Sequence, residues 1–332
     1  MSTLMRAIRY DRYGPPPDVL QVREVEAPTP REGEVVVRVR AAGANPVEWH
    51  LVRGEPFLIR MMNGIRRPKD GDVGFDVAGV VEAIGEGVTD LAPGDEVFGH
   101  GNGSFAELTR AKASRLARKP ESVSFEQAAS VPVAGGTALH ALVTHGRLEA
   151  GERVLIVGAG GGVGSFAVQL AKALGAEVTG VCSGAKAEFV RALGADHVVD
   201  YTREDVTTQP ERYDLIVQLA GEQSLFALRR LLAPHGRLVL AGGGAGREGT
   251  GGTLGALGGF VLSRLLTRFT NRTVKMFLSN TSREHLETLV GFMERGQLTP
   301  SVERAYPLER AADALTEIES GHARGKLVVA VG

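Results

Sequence analysis

Residues 153–175 read RVLIVGAGGGVGSFAVQLAKALG, and this stretch decides the fold. Val154-Leu155-Ile156-Val157 is an apolar run of strand length. Gly158-Ala159-Gly160-Gly161-Gly162-Val163-Gly164 follows without a break, and residues 165–174 repeat apolar positions at helical spacing. A strand that turns through glycines into a helix brings bare backbone and unpaired N–H groups to one point. Such a point suits a pyrophosphate: glycine permits the tight turn, the close approach of backbone to ligand, and close helix–sheet packing. No lysine precedes Ser165, so the run is not a nucleoside-triphosphate loop. Gly160, Gly161, Gly162, Val163 and Gly164 are therefore expected to hold the diphosphate of a dinucleotide. A purely structural turn is the plainer alternative.

The alternation continues downstream. EVTGVCS (177–183), HVVDY (197–201), DLIVQLA (214–220) and RLVLAGG (237–243) read as strands, with helices expected at residues 185–193 and 225–232. Strands alternating with helices predict a parallel sheet covered on both faces. Residues 274–278 are expected to form a strand at its edge. Upstream, residues 5–9, 19–25, 34–41, 77–84 and 96–98 are strand-like, with a turn at Gly94-Asp95. Few helical patterns interrupt them, so a twisted β domain or small barrel is expected. Residues 124–146 predict a helix, a proline interruption and a second helix. Residues 283–295 and 311–318 predict helices and residues 326–331 a final strand. The fold class is α/β, divided as 1–124, 125–280 and 281–332.

Cofactor choice is read at the end of the second strand, Val181-Cys182-Ser183-Gly184-Ala185-Lys186. Sites for NAD place an acid about 20 residues after the glycine motif. From Val181 onward no acid occurs before Glu188, which falls within the next helix. Ser183 can donate to a 2′-phosphate, Lys186 can pair with it, and Tyr201 can close over the same side. These residues favour NADPH. The plainer reading makes Ser183 a helix cap and Lys186 a solvated charge.

Composition removes other classes. Lys plus Arg number 38 and Asp plus Glu 39, a net charge of −1, so no basic face for nucleic acid is expected. The one cysteine, Cys182, can form neither an internal disulfide nor a multi-cysteine zinc site. A reducing, cytoplasmic setting suits it. The opening MSTLMRAIRYDRYG carries no long apolar stretch, and residues 254–266 are broken by glycines and Arg264, so neither a secretory signal nor a membrane span is expected. Residues 247–259 are glycine-rich and read either as a loop near the cofactor or as a surface insertion.

An ordered series of motifs spans the chain: Asn45-Pro46-Val47, Gly74-Phe75-Asp76, Gly79-Val80-Val81, Gly85, Gly87-Val88, Pro93-Gly94-Asp95-Glu96-Val97, Gly103-Ser104-Phe105-Ala106-Glu107, Gly158 to Gly164, Leu193-Gly194-Ala195-Asp196 and Gly325-Lys326-Leu327-Val328. In this the sequence resembles the zinc-independent quinone oxidoreductases of the medium-chain dehydrogenase/reductase superfamily and their enone-reductase relatives. The resemblance implies an N-terminal GroES-like β-barrel catalytic domain, a Rossmann doubly wound nucleotide-binding domain, and a C-terminal return that completes the first. It places the active site in the cleft between them. It also implies a homodimer, with residues 274–278 at the interface.

Zinc-dependent members of that superfamily bind the metal through Cys, His and Cys or Asp. Here Asn45 lies near the first cysteine's position, Phe75 replaces the histidine of a Gly-His-Glu pattern, and Asp76 replaces its glutamate. Phenylalanine cannot bind a metal, and no compact ligand motif joins His50, His100, His140 and His145. No metal is expected. Hydride transfer from NADPH to a quinone or conjugated enone then relies on hydrogen bonds, because such acceptors spread the developing charge. By resemblance Asn45 lies near the nicotinamide and donates to an oxygen, Trp49 and His50 line the pocket, Thr137 contacts the cofactor, and Gly242-Gly243 pass near the nicotinamide ribose. Residues 53–67, with Phe57, Met61 and Met62, form a substrate-side lid or an external connection. Asn45 as a turn residue, Trp49 as core and Thr137 as helix packing are the plainer readings. Alternative functions are an enoyl thioester or carbonyl reductase, and a non-catalytic NADPH-binding protein.

Overall fold

The computed structural model describes residues 3–220, 223–241 and 272–332. Strand β1 (Leu4–Arg9) pairs antiparallel with β2 (Gln21–Glu26). Between them, helix α1 (Pro16–Val19) takes residues where the sequence pattern predicted the start of a strand at 19. A proline at the first helical position loses no hydrogen bond, so the proline run starts a helix, and the strand begins only at Gln21. Strand β3 (Glu34–Ala44) follows, then helices α2 (Pro46–Arg53) and α3 (Phe57–Asn63). Next come β4 (Asp76–Ile84), β5 (Glu96–His100), β6 (Leu108–Lys112), β7 (Leu116–Arg118) and α4 (Phe125–Ala129).

β3 pairs with β4 and β6, β4 with β5, and β5 with β7, all antiparallel. Register shifts between β3 and β4 bend this sheet, as bulges do. A Cβ at Gly79 would run into the Arg38 carbonyl on the neighbouring strand, so only glycine allows that approach. Alternating side chains such as Val35, Val37, Val77 and Val97 are wholly buried in the core.

Helix α5 (Pro132–Leu139) runs on into a π-helical stretch, His140–His145. Then β8 (Arg153–Val157), α6 (Gly162–Ala173), β9 (Glu177–Cys182), α7 (Ala187–Ala192), β10 (His197–Asp200), β11 (Tyr213–Gln218), α8 (Leu225–Arg230), β12 (Leu232–Ala241) and β13 (Thr273–Phe277) follow. The sheet order is β10-β9-β8-β11-β12-β13, parallel throughout. The order reverses beside β8, and open α/β sheets bind ligands where their order reverses. β13 stands at the edge, as the sequence pattern predicted. Val154, Leu155 and Ile156 are fully buried, as a strand covered on both faces requires.

The chain returns through α9 (Arg283–Glu294), β14 (Val302–Pro307), α10 (Ala311–Ser320) and β15 (Lys326–Ala330). β15 pairs antiparallel with β3 along Ala41 to Ala44, which is why β3 runs past the predicted end at 41. β14 adds in parallel outside it. The chain thus forms two units: Met1–Ala134 with Thr281–Glu294 and Pro300–Gly332, and Gly135–Asn280 with Arg295–Thr299. Among the described residues, no helix is long and apolar enough to cross a membrane. Gly242, Gly243 and the expectations at residues 247–259 and 254–266 lie outside the described residues.

Candidate active site

Gly158 leaves β8 with φ at +89°, a conformation few side chains tolerate. Its N–H and that of Ala159 both donate to Val181 O at 3.0 Å, which locks the turn onto β9. Helix α6 then starts at Gly162, three residues before the predicted start at 165. Gly162, Val163 and Gly164 are thus its first turn, with Gly161 as the extended cap. Amides in a first turn have no acceptor within the helix, and they lie at the positive end of its dipole.

The glycines have separate tasks. A Cβ on Gly164 would collide with Gly158 O and the Ala159 backbone, so its absence lets α6 close on the turn. A Cβ on Gly160 would stand 2.9 Å from Lys186 Cδ, so the lysine stem lies over this glycine. A Cβ on Gly161 would meet nothing nearer than Gly158 O at 3.5 Å. Bare backbone and unpaired helical amides fit a dinucleotide diphosphate.

The ends of β9 and β10 form a polar corner. Tyr201 N donates to Cys182 O at 3.1 Å and Lys186 N to Ser183 O at 2.9 Å. Ser183, Lys186 and Tyr201 are thereby gathered on adjacent strand ends. Ser183 precedes a short 3₁₀ turn, Gly184–Lys186, yet its side chain makes no cap hydrogen bond. Tyr201 is 57% exposed, so its ring can lie over a ligand. Asp200 was missed by sequence reasoning. It accepts from Thr202 Oγ1 at 2.7 Å and Thr202 N at 3.0 Å, and these bonds hold its carboxyl below the usual range. Burial and the Asp200 charge push the Cys182 thiol up, while Lys186 and Arg191 oppose them. Thr137 is buried within α5.

A second polar cluster lies where α2, β4 and β15 meet. Asn45 is the residue before α2. Its Nδ2 donates to Asp76 Oδ2 at 3.0 Å, with Gly43 O and Glu48 Oε1 each at 3.4 Å. Its Oδ1 accepts from Lys326 Nζ at 2.6 Å, and the same ammonium donates to Ala44 O at 2.7 Å. Glu48 turns back to accept from Asn45 N at 3.0 Å and Phe75 N at 3.3 Å. Asp76 accepts from Val133 N at 3.1 Å and faces His100 Nδ1 at 3.4 Å. Asn45, Glu48, Asp76 and Lys326 are all 3% exposed or less.

Charges so deeply buried are tolerated only when paired. Burial, and then the neighbouring Asp76, push the Glu48 carboxyl up to about 8, with Lys326 opposing. Burial also raises Asp76 and lowers Lys326 and His100. Two carboxylates against one ammonium make a neutral set when one proton is retained. Glu48 further lines a cavity of about 10 Å³ with Tyr10, Asp72 and Phe75, far too small for a quinone. Burial pushes Tyr10 up to about 12.

Two family models match the chain: alcohol dehydrogenase GroES-like domain over residues 31–121 and zinc-binding dehydrogenase over residues 193–329. A chloroplast envelope quinone oxidoreductase homolog of Arabidopsis thaliana is 33% identical over 341 residues, covering 98% of each chain. The chain belongs to the quinone oxidoreductase-like branch of the medium-chain dehydrogenase/reductase superfamily. This family member is an oxidoreductase with a GroES-like and a Rossmann-like domain. It is also 32% identical to an NADPH-dependent alkenal/one oxidoreductase of A. thaliana chloroplasts, over 98% of this chain and 79% of that one. Its fold is similar to that of the Escherichia coli quinone oxidoreductase complexed with NADPH, with a TM-score of 0.81, 26% identity, and 98% and 99% of the two chains covered.

In this oxidoreductase Trp49 packs against the core of its unit and stacks on His50 at 3.7 Å. His50 Nδ1 lies 2.8 Å from Glu55 O, and burial lowers its pKa. Both rings belong to α2, the helix that Asn45 opens. Asn45 was expected to donate to a bound oxygen; the structure directs its closest donor contact to Asp76 and its carbonyl to Lys326. Among the described residues, no grouping of three or more His, Cys, Asp or Glu is arranged to hold a metal ion. Phe57, Met61 and Met62 on α3 are exposed by 57%, 60% and 73%. Glu48 and Lys326 were missed as site residues. The signals for them were a glutamate three residues beyond Asn45, as in a capping box, and the lysine of Gly325-Lys326-Leu327-Val328.

Proposed function

We propose that this chain reduces quinones or conjugated enones with NADPH and without zinc. The observation that carries the cofactor reading is the Lys186 stem lying over Gly160 of the phosphate turn, with Ser183 and Tyr201 at the neighbouring strand ends. A lysine there joins the diphosphate loop to a 2′-phosphate corner, and a charge-assisted hydrogen bond to phosphate is among the strong ones. The NADPH-complexed E. coli relative and the NADPH-dependent alkenal/one relative support the same choice. When bound, this cofactor supplies a hydride from C4 of its nicotinamide.

The chain's own residues bind and orient. Gly160 to Gly164 and the first amides of α6 hold the diphosphate, Ser183, Lys186 and Tyr201 the 2′-phosphate, and Thr137 a further part of the cofactor. Asn45, Trp49 and His50 form the acceptor side. With Phe75 at the position of a metal-ligating histidine, polarisation of the acceptor falls to hydrogen bonds. Quinones and enones need no more, since conjugation spreads their charge. The names of the relatives, quinone and alkenal/one oxidoreductases, support this acceptor class. A homodimer through the edge strand β13, and a cytoplasmic setting suited to the lone Cys182, complete the reading.

The test is loss of reduced-nicotinamide absorbance in the presence of quinones, small enones and enoyl thioesters in turn. Turnover with quinones or enones supports the proposal. Turnover confined to enoyl thioesters, or tight NADPH binding without any turnover, overturns it.

A further inference from the structure

A carboxamide has two ends of similar shape and opposite polarity, and by itself it can turn over at little cost. Asn45 has no such freedom. Reversal would set its NH₂ against the Lys326 ammonium, now 2.6 Å from Oδ1, and its oxygen against the Asp76 carboxylate, now 3.0 Å from Nδ2. Lys326 is itself held by Ala44 O, one residue before Asn45. Glu48 bridges the N–H groups of Asn45 and Phe75, and so ties the entry of α2 to the segment leading into β4. An apolar set of the same volume usually stabilises a fold as well as a buried ion cluster does. Stability alone therefore does not account for two carboxylates and an ammonium here.

We propose that Lys326 and Glu48 are positioning residues of the acceptor side, acting through Asn45: Lys326 sets which way the amide faces, and Glu48 sets the backbone of Asn45 and Phe75. This rests on the reading of Asn45 as an acceptor-side residue. The charged and titratable groups around the cluster are Glu48 on α2, Asp76 on β4, His100 on β5 and Lys326 on β15. Tyr10 and Asp72 face Glu48 across the small cavity. The cluster is neutral with one proton retained. Loss of that proton leaves a buried charge uncompensated and disturbs the set that orients Asn45.

The experiment compares Asn45→Ala, Lys326→Met, Lys326→Arg and Glu48→Gln with the parent chain, measuring NADPH affinity and quinone-dependent kcat across pH. We expect Lys326→Met to lower kcat roughly 10- to 100-fold, the scale of a misplaced site group, with NADPH affinity unchanged. Lys326→Arg recovers part of the loss, since the cation is restored. Glu48→Gln has the shape of the acid and no titrating proton, but keeps one oxygen for the two N–H groups; it lowers kcat and removes the alkaline limb of the kcat profile. If Lys326→Met does not fold, the Glu48→Gln profile decides. An impaired Asn45→Ala beside parent-like kcat and pH profiles for the other variants overturns the positioning role alone. A fully active Asn45→Ala overturns the reading of Asn45 and the positioning role with it.

Discussion

Lys186 lies over Gly160, so that a Cβ on the glycine would stand 2.9 Å from Lys186 Cδ. One side chain thus spans the phosphate turn after β8 and the polar corner after β9. Lys186→Ala is expected to weaken NADPH binding about 10-fold or more, from the roughly 1.5–3 kcal/mol of a charged hydrogen bond. NADH binding changes far less. Titrations of both cofactors check this; equal losses would refute the phosphate role.

Gly164 packs against Gly158 O and Ala159 with no room for a Cβ. Gly164→Ala must push α6 away from the turn. Overpacking of this kind costs about 1–3 kcal/mol. A lowered Tm together with loss of NADPH-induced stabilisation is the expected outcome. Alanine at Gly161, where nothing lies closer than 3.5 Å, should cost less stability in the chain without cofactor.

Stability should also depend on Glu48. Its carboxyl rises from an ordinary 4.5 to about 8 in the folded chain, so the folded state holds the proton more tightly than the unfolded state. That contribution is fully present below about 4.5 and lost as pH rises through about 8. One proton supplies at most about 1.4 kcal/mol per pH unit. Asp76, also raised, acts in the same sense; Lys326, lowered, acts oppositely. Denaturant melts of the parent and Glu48→Gln across this window isolate the Glu48 part. The parent should lose stability relative to the variant as pH rises, and a flat difference would contradict it.

Purified protein is expected to lack stoichiometric zinc, and chelators should leave its rate unchanged. Elemental analysis beside a chelation series measures both. About one zinc per chain, with activity lost on its removal, would sink the zinc-free reading.

The parallel sheet was legible because its signal is local: each strand, turn and helix is written in consecutive residues. The start of α6 was misplaced for a physical reason. Glycines read as loop, yet a first helical turn accepts Gly162 and Gly164 where backbone must approach backbone and ligand. Pro16 misled in the opposite direction, since a proline that ends a strand also begins a helix. The buried cluster was legible only in part. Asn45 was singled out, but Lys326 lies 281 residues away and reads as a charge on a terminal strand. Only the pairing of Leu327 with Ala44, which joins β15 to β3, brings its ammonium to the Asn45 amide. Asp200 was hidden similarly, because its meeting with Gly184 depends on β10 lying beside β9.

The most direct test of the central claim is quinone-dependent oxidation of NADPH and of NADH by the same chelator-treated protein, compared as kcat/KM. We expect turnover with small quinones or, in the same assay, conjugated enones, a clear preference for NADPH, and no effect of chelation. Preference for NADH, or no acceptor-dependent oxidation despite tight NADPH binding, would contradict the account.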